Sequence, residues 1–138
     1  MAERFYLEVV TPERVVLRER VEALVVPSAD GYLGILANHA PMLASVGLGV
    51  VQYGSFHGPK KRMAVSGGFL EARGDQVTLL ADTAELASEI DVLRARAARD
   101  RAMARLRQRS SEIDHARAQR ALARALNRLK AAGVSDGD

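Results

Sequence analysis

Glycine and proline divide this chain in two. Ahead of the stretch Thr83–Ala95, which reads TAELASEIDVLRA, glycine, proline and β-branched residues taken together recur every few positions. Beyond that stretch there is no proline, and no glycine before Gly133. That mixture of breakers and β-branched residues favours strands and turns over helix. The absence of breakers from a run rich in alanine and arginine favours helix. Thr83–Ala95 is therefore a joint between a β half and an α half. Within it, Ser88 and Asp91 can each accept a hydrogen bond from the N–H groups left unpaired in a first helical turn.

In the β half, Phe5, Leu7 and Val9 alternate with Tyr6, Glu8 and Val10, the period of a half-buried strand. Thr11-Pro12 turns the chain, and Val15 to Leu17 and Leu24 to Val26 are short apolar strands, the second stopped by Pro27. Ser28-Ala29-Asp30-Gly31 is a turn cluster. Further strands are expected at 31–36, Met42–Val46, Val50–Tyr53, Arg62–Val65, Phe69–Ala72 and Val77–Leu80. Gly47 and Gly49, His57-Gly58-Pro59, Gly67-Gly68 and Gly74-Asp75 are read as the turns between them. About ten short strands with turn signals at this spacing describe a sandwich or barrel.

In the α half, Ala95, Ala98, Ala102 and Leu106 recur at helical spacing, and Gln108-Arg109-Ser110-Ser111 interrupts them. Ser111, with Asp114 three positions on, resembles a capping box that opens a second helix. The apolar stripe of that helix is Ala118, Leu122, Ala125, Leu129 and Ala132, and Gly133 ends it at a C′ position. Two such helices joined by a tight turn form an antiparallel hairpin. Alanine allows close approach but buries few methylenes, each worth about 0.8 kcal/mol. The hairpin thus has good helix propensity and weak tertiary glue. The expected class is α+β: a β-sandwich over residues 1–85 followed by a helical hairpin over 86–138.

Composition excludes several functions. There is no cysteine, so disulfides and thiolate metal sites are ruled out. His39, His57 and His115 stand far apart, which argues against a metal site. There is no phosphate loop, no single Ser–His–acid spacing, and no apolar run near the roughly 18 residues of a membrane span. The N-terminus begins a strand pattern at once and lacks the zones of a signal peptide. Charge is asymmetric. From Asp91 to Lys130 there are twelve basic residues against four acidic ones, which leaves eight and thirteen of the totals of 20 and 17 elsewhere. The helical half is about +8 and the remainder about −5, so an acidic partner suits the former.

Four segments carry a resemblance to a known family. Gly31-Tyr32-Leu33-Gly34-Ile35-Leu36-Ala37-Asn38-His39-Ala40-Pro41 is similar to G-x-x-G-I-L-x-x-H-A-P. Val65-Ser66-Gly67-Gly68-Phe69-Leu70-Glu71 is similar to S-G-G-[FI]-[LIV]-E. The run 77–82 resembles V-T-[VL]-L-A-[DE], and Ile90-Asp91-Val92-Leu93-Arg94-Ala95 resembles I/L-D-x-x-R-A. In this order and spacing, over essentially its whole length, the chain resembles the ε subunit of F-type ATP synthases.

The resemblance implies a β-sandwich that grips the γ subunit and rests on the c-ring. It implies a hairpin that lies folded or extends into the catalytic head, where it restrains ATP hydrolysis. It implies no enzyme activity of the chain's own and no required cofactor. It places the chain on the cytoplasmic face of a bacterial membrane, held there through the complex. In part of the family the folded hairpin binds a regulatory ATP. The matching positions here are Glu85, Ile90, Asp91, Arg94, Ala95, Arg101, Arg124 and Arg128, whose arginines offer planar, permanent charges to phosphate oxygens. Arg105, Arg107, Arg117 and Arg120 are expected to meet the acidic segments of the catalytic subunits. Tyr32 and His39 are expected to face γ and the c-ring, although Tyr32 stands where several members carry an acid and Asn38 where glycine is common. The rival reading is a basic helical module that binds nucleic acid, against which the helical half offers no aromatic residue for stacking. A small hydrolase, the catalytic alternative, lacks a constellation.

Overall fold

A computed structural model describes residues 3–108 and 114–134. Eight strands come first: β1 (Phe5–Val10), β2 (Val15–Val21), β3 (Ala23–Ser28), β4 (Gly31–Leu36), β5 (Met42–Gly54), β6 (Lys60–Arg73), β7 (Gln76–Ala81) and β8 (Ala84–Leu86). A single 3-10 turn, Ala87–Glu89, leads to α1 (Val92–Arg107) and α2 (His115–Ala131). The chain forms two compact units, Met1–Leu86 and Ala87–Asp138. The expected order of sandwich and then helices is what the chain adopts.

The strands hydrogen-bond in the order β2-β1-β7-β6-β5-β3-β4, with β8 on β6 beside the end of β7. β1 and β7 run parallel and the other pairs antiparallel. The sheet is folded over on itself, because β2, at one end of the path, packs against β5 and β8. Between the layers lies an aliphatic core that includes Phe5, Leu7, Leu24, Val51, Met63, Leu70 and Leu79, each fully buried.

Two long strands replace the four short ones expected at 42–53 and 62–72. β5 has 13 residues and β6 has 14, and they pair in one register from Met42↔Ala72 to Gly54↔Lys60, interrupted between Val46↔Gly68 and Leu48↔Ser66. Gly47, Gly49, Gly67 and Gly68, read as turns, are instead bends inside these strands, while Gly58 and Gly74 lie in the connections where turns were expected. Inward positions are Met42, Ala44 and Val46 in the first part of β5, then Gly49, Val51 and Tyr53 in the second. In β6 they are Met63 and Val65, then Leu70 and Ala72. Each alternation changes phase at the glycines, since a one-residue shift moves side chains to the opposite face. Gly67 and Gly68 have φ of +122° and +137°, a region that L side chains avoid. A Cβ on Gly68 would stand 2.0 Å from the Leu80 carbonyl oxygen. The close approach of β7 requires glycine there, so the phase change and the pairing have one cause.

Candidate functional site

Both helices of the second unit begin the same way. Asp91 has extended backbone, φ −81° and ψ 102°, and its carboxylate accepts from the Arg94 N–H at 3.1 Å. Asp114, φ −79° and ψ 95°, accepts from the Arg117 N–H at 3.0 Å. Each side chain satisfies one donor left over in the first turn. The cap of α2 is therefore Asp114 and not Ser111, which lies outside the described residues. Ser88, the other candidate at the joint, falls in the 3-10 turn. Gly133, φ +83°, closes α2: its N–H donates to the Lys130 carbonyl at 3.0 Å and the Val134 N–H to that of Leu129 at 2.9 Å. This is the paired-bond C-terminal motif expected of a C′ glycine.

The helices pack through small residues. Ala95 and Ala102 are buried on α1, and Ala118, Ala125, Leu129 and Ala131 on α2. With only one leucine among the six, the seam has the shallow burial expected of it. Beside the seam, one flank of each helix is rich in arginine. Arg94, Arg101 and Arg105 lie at spacings of seven and four along one side of α1. Arg117, Arg120, Arg124 and Arg128 follow at three, four and four along one side of α2. Arg94, Arg101, Arg105, Arg107, Arg117, Arg120 and Arg124 are exposed, and among the described residues their guanidinium groups make no hydrogen bond or ion pair. Arg99 differs: its Nε is 3.0 Å from the Asp100 carboxylate. Arg105, Arg107, Arg128 and Lys130 fall in the last turns, where cations oppose the helix dipole.

The sandwich carries the two residues expected at the rotor. Tyr32 is 57% exposed on β4 and pairs with Pro27 across to β3. Its hydroxyl lies over Gly49, where a Cβ would be 3.4 Å from it and 2.7 Å from the Pro27 ring. His39 is half-buried, edge-on to the core residue Phe5 with ring centroids 5.9 Å apart, and its Nδ1 lies 3.4 Å from the Ala40 carbonyl. Motif reading passed over an apolar row on the outer face. Cα partners run Ser45↔Phe69, Phe69↔Leu80, Leu80↔Val10 and Val10↔Val15, with Phe69 and Leu80 both 54% exposed and Leu43 71% exposed nearby. The signal was present in the sequence, because Phe69 and Leu80 are out of phase with Leu70 and Leu79.

Comparison with known proteins follows this division. Residues 4–87 match the β-sandwich domain of the ATP synthase delta/epsilon chain, and residues 88–133 match the long alpha-helix domain of the same chain. The chain belongs to the ATP synthase delta/epsilon family. It is 53% identical over 98 residues to the ATP synthase epsilon chain of Syntrophomonas wolfei, covering 71% of this chain and 72% of that one. It is 54% identical over 96 residues to the epsilon chain of Moorella thermoacetica, covering 70% and 72%. A chain in the OSCP/F1/c-ring structure of Euglena gracilis mitochondrial ATP synthase superposes with a TM-score of 0.73 at 22% identity, over 87% of this chain and 76% of that one, a likeness of fold.

The eight positions that family resemblance assigns to ATP divide between the units. Glu85 sits on β8 opposite Ala64, in the sandwich unit. Ile90, Asp91, Arg94, Ala95, Arg101, Arg124 and Arg128 belong to the hairpin unit. Ala95 is fully buried and packs the seam, and Asp91 is engaged as a cap. Arg94, Arg101 and Arg124 are free to take an anion.

Proposed function

We propose that this member of the family is the ε subunit of an F-type ATP synthase central stalk. Its sandwich couples the γ subunit to the c-ring, and its hairpin acts as a nucleotide-responsive brake on hydrolysis. One observation supports the reading most directly: both family domains occur in order, together spanning residues 4–133. In this reading the chain is a non-catalytic subunit. It reaches the cytoplasmic face of the membrane through the complex, and no helix among the described residues is long and apolar enough to cross a bilayer.

The hairpin chemistry fits the finer part of the proposal. A seam made mostly of alanine leaves two arrangements of the helices within a few kcal/mol, so modest ligand energies can choose between them. ATP held by Arg94, Arg101, Arg124 and Arg128 draws on both helices and so favours the folded arrangement. At one hundred times its dissociation constant, a ligand adds about 2.7 kcal/mol to the state it binds. Arg105, Arg107, Arg117 and Arg120 offer unpaired positive charge to acidic segments of the catalytic subunits. The nucleic-acid reading is not favoured by the family match.

The test is reconstitution. Co-expressed with α, β and γ, the chain is expected to co-purify with the assembled head and to lower its ATP hydrolysis. A chain that purifies away from γ under conditions where α, β and γ assemble would overturn the assignment.

A further inference from the structure

The arginines of the hairpin obey a placement rule. Arg94, Arg101, Arg117, Arg124 and Arg128 each stand one residue ahead of a seam residue: Ala95, Ala102, Ala118, Ala125 and Leu129, all buried. One residue turns a helix by about 100°, so these side chains leave both helices at the same angle from the seam. α1 and α2 pack against each other across the short connection 108–114 and so run antiparallel. In an antiparallel pair, equal offsets from the seam bring both sets to one side of the hairpin. Arg105, four residues after Arg101, and Arg120, three after Arg117, extend the two columns.

Together the columns make one cationic strip. Counted outward from the middle of the connection, Arg105 is level with Arg117 and Arg94 with Arg128. Each column is about 16 Å long at 1.5 Å per residue, and the two combined place a guanidinium every ~2–3 Å. The helix α2 has no acidic residue, and the one acid of α1, Asp100, pairs with Arg99. The arginines of the strip other than Arg128 are exposed and, among the described residues, unpaired. Arg94, Arg101, Arg124 and Arg128, the set that family resemblance gives to ATP, fill the part away from the connection. The strip runs on past them through Arg105, Arg117 and Arg120, beyond the reach of one triphosphate.

We propose that this strip binds linear inorganic polyphosphate along its length. Polyphosphate is unbranched and carries a charge on every phosphate, with oxygens on all sides of the chain. Each phosphate can therefore meet a guanidinium from either column, in the paired hydrogen bonds that arginine forms with phosphate. An acidic peptide matches less well, because an extended chain returns a side chain to the same side only every ~7 Å. A nucleic acid brings bases, and the helical half has no aromatic residue to stack on them. The alanine seam holds the helices near the close end of packing distances, about 8 Å between axes. Long side chains from both columns then converge on a ligand lying between them. Polyphosphate binding requires only this arginine arrangement, whether or not ATP occupies part of the strip.

Titration calorimetry of the full chain tests the strip, with tripolyphosphate, long-chain polyphosphate and oligoglutamate as ligands. Long-chain polyphosphate is expected to bind at least about tenfold tighter than tripolyphosphate, with a steeper loss of affinity as salt rises. Changing Arg105, Arg117 and Arg120 together to alanine should erase most of that difference, and alanine at exposed helix positions keeps the hairpin folded. Changing Lys60, Lys61 and Arg73 to alanine removes the same charge from the sandwich and should preserve the difference. Long-chain binding without any ATP heat would support the strip while ending the nucleotide-sensor reading. Equal affinity for the two phosphate chains, equal losses in the two triple variants, or oligoglutamate binding as tightly as long-chain polyphosphate would each overturn the proposal.

Discussion

Adding one methyl group to Gly68 should damage the sandwich more than any other glycine-to-alanine change at the bend. The new Cβ would sit 2.0 Å from the Leu80 carbonyl oxygen and 2.9 Å from both Leu80 C and Ala81 Cα. All three are backbone atoms of β7, so no side chain can swing aside. Relief needs β7 to retreat by roughly 1 Å, which strains the Phe69↔Leu80 and Gly68↔Ala81 pairs and opens space around Leu70 and Leu79. Two weakened ladder bonds at about 1 kcal/mol each, added to about 1–3 kcal/mol for an alanine held at φ +137°, come to about 4 kcal/mol. Two controls separate the causes. Gly74 has φ +61° with nothing within 4 Å, so Gly74→Ala isolates backbone strain at about 1–2 kcal/mol. Gly47, across the same bend, has open space and no positive φ, so Gly47→Ala should change stability by less than about 1 kcal/mol. All three tyrosines and all three phenylalanines lie within residues 1–86, and there is no tryptophan. Near-ultraviolet circular dichroism during urea unfolding of the full chain thus follows the sandwich alone. If Gly68→Ala falls within about 1 kcal/mol of Gly74→Ala, the close approach of β7 is not what fixes glycine at this position.

Residues 1–86 expressed alone should fold cooperatively and still bind γ; an unfolded fragment by circular dichroism and proteolysis would refute a self-sufficient sandwich. Asp91→Ala should lower hairpin stability by about 1 kcal/mol in far-ultraviolet melts while Asp91→Asn stays close to wild type, because asparagine caps as well as aspartate. In titration calorimetry, Arg124→Ala or Arg128→Ala should weaken ATP binding by about 1.5–3 kcal/mol, and no heat up to millimolar ATP would end the sensor proposal while leaving the subunit assignment standing. Replacing Arg105, Arg107, Arg117 and Arg120 together with alanine should raise ATP hydrolysis by the reconstituted complex, and unchanged hydrolysis with normal assembly would count against an electrostatic latch.

What the sequence made legible follows from how many conformations each signal allows. Gly133 after a 4, 3, 4, 3 apolar stripe admits one reading, and the structure has the left-handed C′ residue there. A cap ahead of the alanine-rich run was legible too, though the sequence left it open between Ser88 and Asp91, and the 3-10 turn that takes up Ser88 leaves it to Asp91. Gly47, Gly49, Gly67 and Gly68 were not legible, because glycine permits both a turn and a bend inside a strand. At Gly68 the choice is made by β7, which comes from elsewhere in the chain and closes on it, and Gly49 likewise lies against Pro27 of β3. The capping box that opens α2 was read with Ser111 as the cap and Asp114 as its partner, but α2 begins at His115 and Asp114 itself is the cap, its carboxylate accepting from the Arg117 N–H. β8 was hidden for a related reason: three residues carry no period, and their strand exists only because β6 continues past the end of β7. The hairpin shows the converse limit. Its arginine spacing was plain in the sequence, but spacing alone does not distinguish a paired guanidinium from a free one. Arg99, beside Asp100, is neutralised on its own helix, whereas Arg94, Arg101 and Arg124 keep their charge for another molecule. A hairpin held by alanine contacts and carrying unspent positive charge is stabilised most by whatever anion reaches both helices at once. The proposed nucleotide response and the calorimetry that tests it rest on this unpaired charge.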